Sequence, residues 1–395
     1  FLTTLAGEAV RVCLKTGLGG LLYEAVRARV ERASQLLGTH MLQDTRNHPF
    51  LPWTFGEAVV VPLLAYLAYL RHTACGFEFT TMLLYHFLRL GPRYRLFAHH
   101  HVLIHKEGHA HRGLFKGSFA ALNRINSLWC GLFYGSMTGS YSAGHNKIHH
   151  RWHNDADDVH TNIDVDRTRF ASYVLWLPRF FAYWTGASCL ALFLKRSEYR
   201  LAAEILAGQL WWLVCMLVVT HHAGAVFTLA YFVYPMAEAI AFLGSMAYLW
   251  HAFVQPDDPA NQYVNSITIL DGKDNIWNED FHVVHHHAPA VHWSEAPAFY
   301  KSTEERYREC TATVFRDCEQ GELIYWIFAN KWEDLASHFV DLSGTLDHAG
   351  KKALLLRRLQ FHRLGGFRGA APALWGTSQV RDWDSVPKEE LDARR

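Results

Sequence analysis

The chain has 395 residues, a formal net charge of +1 with its 26 histidines neutral, and 50% hydrophobic and 14% aromatic residues. Mean hydropathy is nevertheless near zero, which suits an apolar membrane-embedded part joined to a sizeable polar cap. There is no long basic run, which excludes nucleic acid as the expected partner. The seven cysteines are scattered, odd in number and without a C-x-x-C, so they read as reduced thiols, not a disulfide framework or zinc site.

Residues 1–54 read as an amphipathic lead-in, with Leu21, Leu22, Val26 and Val30 near helical spacing among Arg27, Arg29, Glu31 and Arg32. The chain opens on Phe1, which suits a processed or trimmed polypeptide. The apolar runs 55–70 and 76–90 are each marginal against the ~20 residues of a membrane helix, but suit a hairpin broken near Arg71 and His72. Residues 91–169 are polar and rich in histidine; the short apolar patch at 128–139 suits the membrane interface or the underside of the cap. Three apolar stretches follow, 170–194, 201–220 and 223–250. Histidines on either side of them can share one site only if the chain crosses an even number of times. The crossings are therefore expected at 201–220 and 225–250, while 170–194, interrupted by Pro178 and Arg179, is expected in the interface. The expected fold class is all-α: an integral membrane protein of about four transmembrane helices with a helical cap carrying the metal site. Ten Lys or Arg in 91–169, against Arg71 alone in the opposite loops, put that cap on the cytosolic, stromal or matrix side. The membrane of the endoplasmic reticulum, a plastid or a mitochondrion fits equally. Residues 55–290 form the expected catalytic region and 291–395 a soluble tail packed on the metal side.

Histidine concentrates in three places. The first cluster, His99-His100-His101 through His105, His109 and His111, spaces His101, His105 and His109 four apart, one turn of one helix face. Gly108 leaves space for close approach. In the second, His145 and His149 are again four apart, and the adjacent His149 and His150 point about 100° apart on a helix, toward different metal ions. The carboxylates of Asp155, Asp157 and Asp158 can accept hydrogen bonds from the outer ring nitrogens and fix the tautomers. In the third, His282, His285 and His286 repeat the i, i+3, i+4 pattern. His251 ends the last apolar stretch at the same level. Zinc is satisfied by four ligands, whereas two six-coordinate irons can use eight or nine nitrogens; imidazole suits iron, copper and zinc alike, and the count and membrane setting favour a di-iron centre. Other histidines, among them His40, His48, His72, His86, His221 and His222, read as ordinary surface or core residues.

These residues resemble the membrane fatty-acid desaturase superfamily, whose pattern H-x(3–4)-H, H-x(2–3)-H-H, H/Q-x-x-H-H reads here as His105-x3-His109, His145-x3-His149-His150 and His282-x2-His285-His286. The segments 250–270, 277–289 and 292–295 look like the run into the third box of acyl-lipid desaturases, and the likeness covers roughly 55–315. The resemblance implies His105, His109, His145, His149, His150, His251, His282, His285 and His286 as ligands of two Fe ions. His101 or His111 could replace a first-box ligand, and His153 stands where the family often has Thr, as a supporting group. The implied activity is O2-dependent oxidation of a lipid acyl chain, by desaturation first, or by hydroxylation, ketolation or decarboxylation on the same centre. No P-loop, Rossmann glycine fingerprint or haem motif is visible, so electrons are expected from a separate ferredoxin or b-type cytochrome. The aromatic residues near 211–253 are candidate walls of an acyl tunnel. A structural membrane subunit of a larger complex and a zinc or copper membrane hydrolase are the competing readings.

Overall fold

The computed structural model describes residues 18–155 and 158–362, so expectations for residues 1–17, Asp157 and the tail beyond 362 lie outside the described residues. The chain divides into two compact units, Phe1–Ser142 with Leu206–Ala239 and Ala143–Ile205 with Ile240–Arg395.

The first unit is built on apolar helices. Helix Leu51–Cys75 opens with Pro52, whose missing N–H falls where no helical partner exists. Leu51, Thr54, Glu57, Val61, Ala65 and Ala68 recur every three or four positions and form its buried face. The opposite face is equally apolar yet open, with Val59, Leu63, Tyr66 and Leu67 each more than half exposed. An exposed apolar surface of that extent is the kind that meets a membrane or a partner. Two helical stretches, Thr45–Cys75 and Tyr199–Trp250, are long and apolar enough to cross a membrane, and only 33% and 22% of their apolar windows are buried.

The second stretch turns back on itself. Gly224 takes φ 81° and ψ 163°, a conformation that breaks the helix. Thr220 and Thr228, eight positions apart, bring their hydroxyls to 2.9 Å, where a straight helix would separate them by about 12 Å. The turn thus falls between the 201–220 and 225–250 stretches. The expected crossing at 76–90 is not long enough alone. Its helix, Phe79–Leu90, has 12 residues, about 18 Å, and stops at Gly91 (φ 69°) before Pro92. Arg71 and Glu78 hold the turn ahead of it through two 2.7 Å contacts.

The second unit carries the polar machinery. The 170–194 stretch forms two helices, Phe170–Trp184 and Ala187–Lys195, split at Gly186, and neither is long enough to span. Arg179 pairs with Asp164 through two bonds of 2.8 and 2.9 Å and fixes the first helix to the 161–164 loop. The fold is mostly helical, as expected, with two short strands besides. Thr268–Leu270 (β1) and Val314–Arg316 (β2) pair in parallel, in register Thr268↔Val314. Each strand is three residues long, below the length at which alternation can be read from sequence. Around them Leu249, Phe253, Ile267, Ile269, Phe315, Leu323, Phe339, Leu355 and Leu359 close a buried cluster. Arg167 holds the last described helix in place: its guanidinium donates to the carbonyls of Ala252, Asn162, Val165 and Arg358.

Candidate metal centre

In the first unit, helix Arg95–His109 carries the first box. His105 and His109 sit one turn apart with ring centroids at 5.0 Å, and His105 stacks on Tyr141 at 5.2 Å. The turn between them is fastened from its other side. The buried Glu107 carboxylate accepts from the backbone N–H and Nδ2 of Asn126 and from the N–H and Oγ of Ser127. Gly108 is pressed onto Tyr141, since a Cβ there would lie 2.6 Å from the Tyr141 Cβ. The other histidines of the cluster each have neighbours of their own. His99 stacks on Trp53 at 3.7 Å, His100 donates to Glu57 at 2.8 Å, and His101 packs on Phe97 at 4.2 Å. His111 lies exposed in the turn beyond the helix.

The second unit holds seven of the nine expected ligands, His251 among them. In one group, His145, His150 and His285 point their Nε2 atoms inward, at 3.0 Å (His145–His150), 2.9 Å (His150–His285) and 3.4 Å (His145–His285). In the other, His149 and His251 approach at 3.0 Å through Nε2. His282 Nε2 lies 3.4 Å from His251 and 3.1 Å from His286, and ligand atoms of His149, His251 and His286 fall within 4.8 Å of one another. Adjacent His149 and His150 therefore serve different groups.

The sorting departs from the sequence reading in one respect. Spacing by four predicts His145 beside His149, but His145 joins His150. The reason is local: Ser140–His149 is π-helical, and the wider turn brings residues five apart onto one face. The third box splits likewise, with His285 in the first group and His282 and His286 in the second.

The electrostatics suit a cation. His149 Nδ1 donates to Asp158 Oδ2 at 2.6 Å and His251 Nδ1 to the Asn265 carbonyl at 2.7 Å, so both ring protons sit on Nδ1. Their Nε2 lone pairs face one another at 3.0 Å, which is repulsive unless a positive ion lies against both. Burial, reinforced by neighbouring imidazoles, holds the His251 and His286 pKa values well below the ordinary range, so these rings stay neutral, the form that binds a metal. Burial alone would raise the Asp158 carboxyl, but His160 and His149 together outweigh it and keep it ionised. An all-imidazole set with two centres of convergence fits two ions of a borderline metal such as iron.

Several residues of the site escaped sequence reading. Ser266 Oγ lies 2.9 Å from His153 Nε2, Asn265 serves His251, and His160 stacks on Tyr183 at 4.1 Å while facing Asp158. Of these only His160 left a trace, as a third metal-type side chain two positions beyond Asp158. Among the aromatic residues of 211–253, Phe227 and Phe232 line an open apolar groove of about 280 Å³ in the first unit, with Phe133, Trp129 and Tyr66.

No curated protein and no solved structure matches the chain. A family model described as fatty acid desaturase matches residues 78–316, a stretch that holds all three histidine boxes and His251. That is more than half of the sequence, and the chain belongs to the fatty acid desaturase family.

Proposed function

We propose that the protein is a membrane-bound, O2-dependent oxidoreductase that desaturates a lipid acyl chain, with two Fe ions held by His105, His109, His145, His149, His150, His251, His282, His285 and His286. The observation that carries this reading is the pair of adjoining imidazole groups, His145–His150–His285 and His149–His251–His286. His105 and His109 enter the set on the family pattern and on their shared face of one helix. Bound iron would supply the activation of O2 and the removal of hydrogen from an unactivated C–H bond.

The protein's own residues do the rest. The Asn265 carbonyl orients His251. Trp250, stacked on His282 at 4.6 Å, shields that ring from water. The exposed apolar faces of Thr45–Cys75 and Tyr199–Trp250 suit a bilayer that also delivers the substrate. Electrons come from a separate ferredoxin or b-type cytochrome.

Expression in a host whose lipids are simple, followed by mass spectrometry of the acyl chains, tests the reaction. Products two hydrogens lighter, absent with His285→Ala, support desaturation. Products carrying added oxygen alone overturn it in favour of hydroxylation on the same centre.

A further inference from the structure

The second unit contains a third group of metal-binding side chains: His149, Asp158 and His160, all buried, with ligand atoms within 4.8 Å of one another. His149 belongs to two groups at once, through different ring atoms. Its Nε2 faces His251, and its Nδ1 lies 2.6 Å from Asp158 Oδ2. That second distance decides what the group is. Two ligands held on one ion at metal–ligand distances near 2.1 Å stand about 2.9 Å or more apart. A separation of 2.6 Å is instead that of a strong hydrogen bond to a carboxylate.

The surroundings fix the carboxylate closely. The chain reverses through left-handed residues at His153 (φ 42°) and Asn154 (φ 61°), and this turn swings Asp158 back against His149. Oδ2 also accepts the Asn154 N–H at 3.0 Å, and Oδ1 accepts the His160 N–H at 3.3 Å. His160 Nδ1 lies 2.9 Å from Oδ1 as an ion-pair contact. The His160 ring is in turn stacked on Tyr183 at 4.1 Å and 19°. Each oxygen of Asp158 thus has its own histidine, one facing the metal group and one facing the protein interior.

We propose that Asp158 is a positioning residue for one of the two irons: it holds the proton of His149 on Nδ1, so that Nε2 is presented to the metal, and His160 with Tyr183 prevents the carboxylate from turning away. The inference rests on the reading of His149 as an iron ligand. Because His145, His150 and His285 do not contact Asp158, only the iron of the His149–His251–His286 group feels the change.

The test uses the full-length protein purified in detergent and loaded with iron-57, comparing wild type, Asp158→Asn, Asp158→Ala and His160→Phe. Iron per chain, its loss to a competing chelator and the Mössbauer spectrum are measured. Asp158→Asn keeps the shape and one acceptor oxygen but lacks the charge, so it stands in where Asp158→Ala does not fold. The expected result is that one of two iron sub-spectra shifts in Asp158→Asn while the other is unchanged. Iron leaves that site about 10- to 100-fold faster in Asp158→Ala, and by a smaller factor in His160→Phe. Equal change at both sites, or none in any variant, overturns the positioning role while leaving the ligand set standing. A third metal ion per chain, lost with Asp158, overturns it in favour of a separate site. A wild-type protein that takes up no iron defeats the ligand reading itself, and this inference with it.

Discussion

Replacing Glu107 probes how the first histidine box is held. Its carboxylate is buried and receives four hydrogen bonds, of 3.3 and 2.8 Å from Asn126 and 3.1 and 2.6 Å from Ser127. Hydrogen bonds to a charged group contribute roughly 1.5–3 kcal/mol each, and much of that offsets the cost of burying the charge. Glu107→Ala removes the acceptor and leaves its donors in a buried place. The expected loss is about 3–4 kcal/mol, with about 1–2 kcal/mol for Glu107→Gln, which keeps one acceptor oxygen but turns an NH2 toward donors. Thermal unfolding followed by circular dichroism in detergent should therefore show a midpoint roughly 4–5 °C lower for Glu107→Ala. Asn126→Ala added to that background should cost far less than it does alone, because the two residues share one set of bonds. A Glu107→Ala midpoint within about 1 °C of wild type, or full additivity with Asn126→Ala, would refute the reasoning.

Three further outcomes are expected. Gly108→Ala drives a methyl to 2.6 Å from the Tyr141 Cβ and should destabilise by about 1–3 kcal/mol, read as a lower melting midpoint. Gly208→Ala is harsher, because its Cβ would lie 2.0 Å from the Thr138 carbonyl oxygen, and yield of folded protein should fall sharply by size-exclusion chromatography. Arg179→Met leaves the buried Asp164 carboxylate without its two bonds; it should destabilise by about 3–5 kcal/mol, and more than Arg179→Lys, measured by thermal unfolding.

The histidine groups are legible in sequence because imidazoles that converge from helices must recur at helical spacing, and few other pressures place three such clusters in one chain. His149 and His150 could be dealt to different groups from their angular separation alone. The pairing of His145 with His150 could not be read, since nothing in the residues 140–149 marks a π-helix, and the spacing rule assumes 3.6 residues per turn. Asp158 was visible as one of three nearby carboxylates, but His160, Asn265 and Ser266 were not, because their roles depend on where loops return and not on local period. The helix at 79–90 read longer than it is. Its apolar run continues up to Gly91, but its helical start waits until Phe79, beyond Gly76. The two short strands were hidden for want of length. Glu57 lies inside the apolar run 55–70, and in the structure it is the buried partner of His100.

Metal content tests the central claim most directly. Elemental mass spectrometry of the detergent-purified chain should find about two irons, and His149→Ala and His285→Ala, which each remove a ligand from a different imidazole group, should both lose iron. No iron in the wild type, or one zinc untouched by either substitution, would contradict the di-iron account and return the structural-subunit and hydrolase readings to the front.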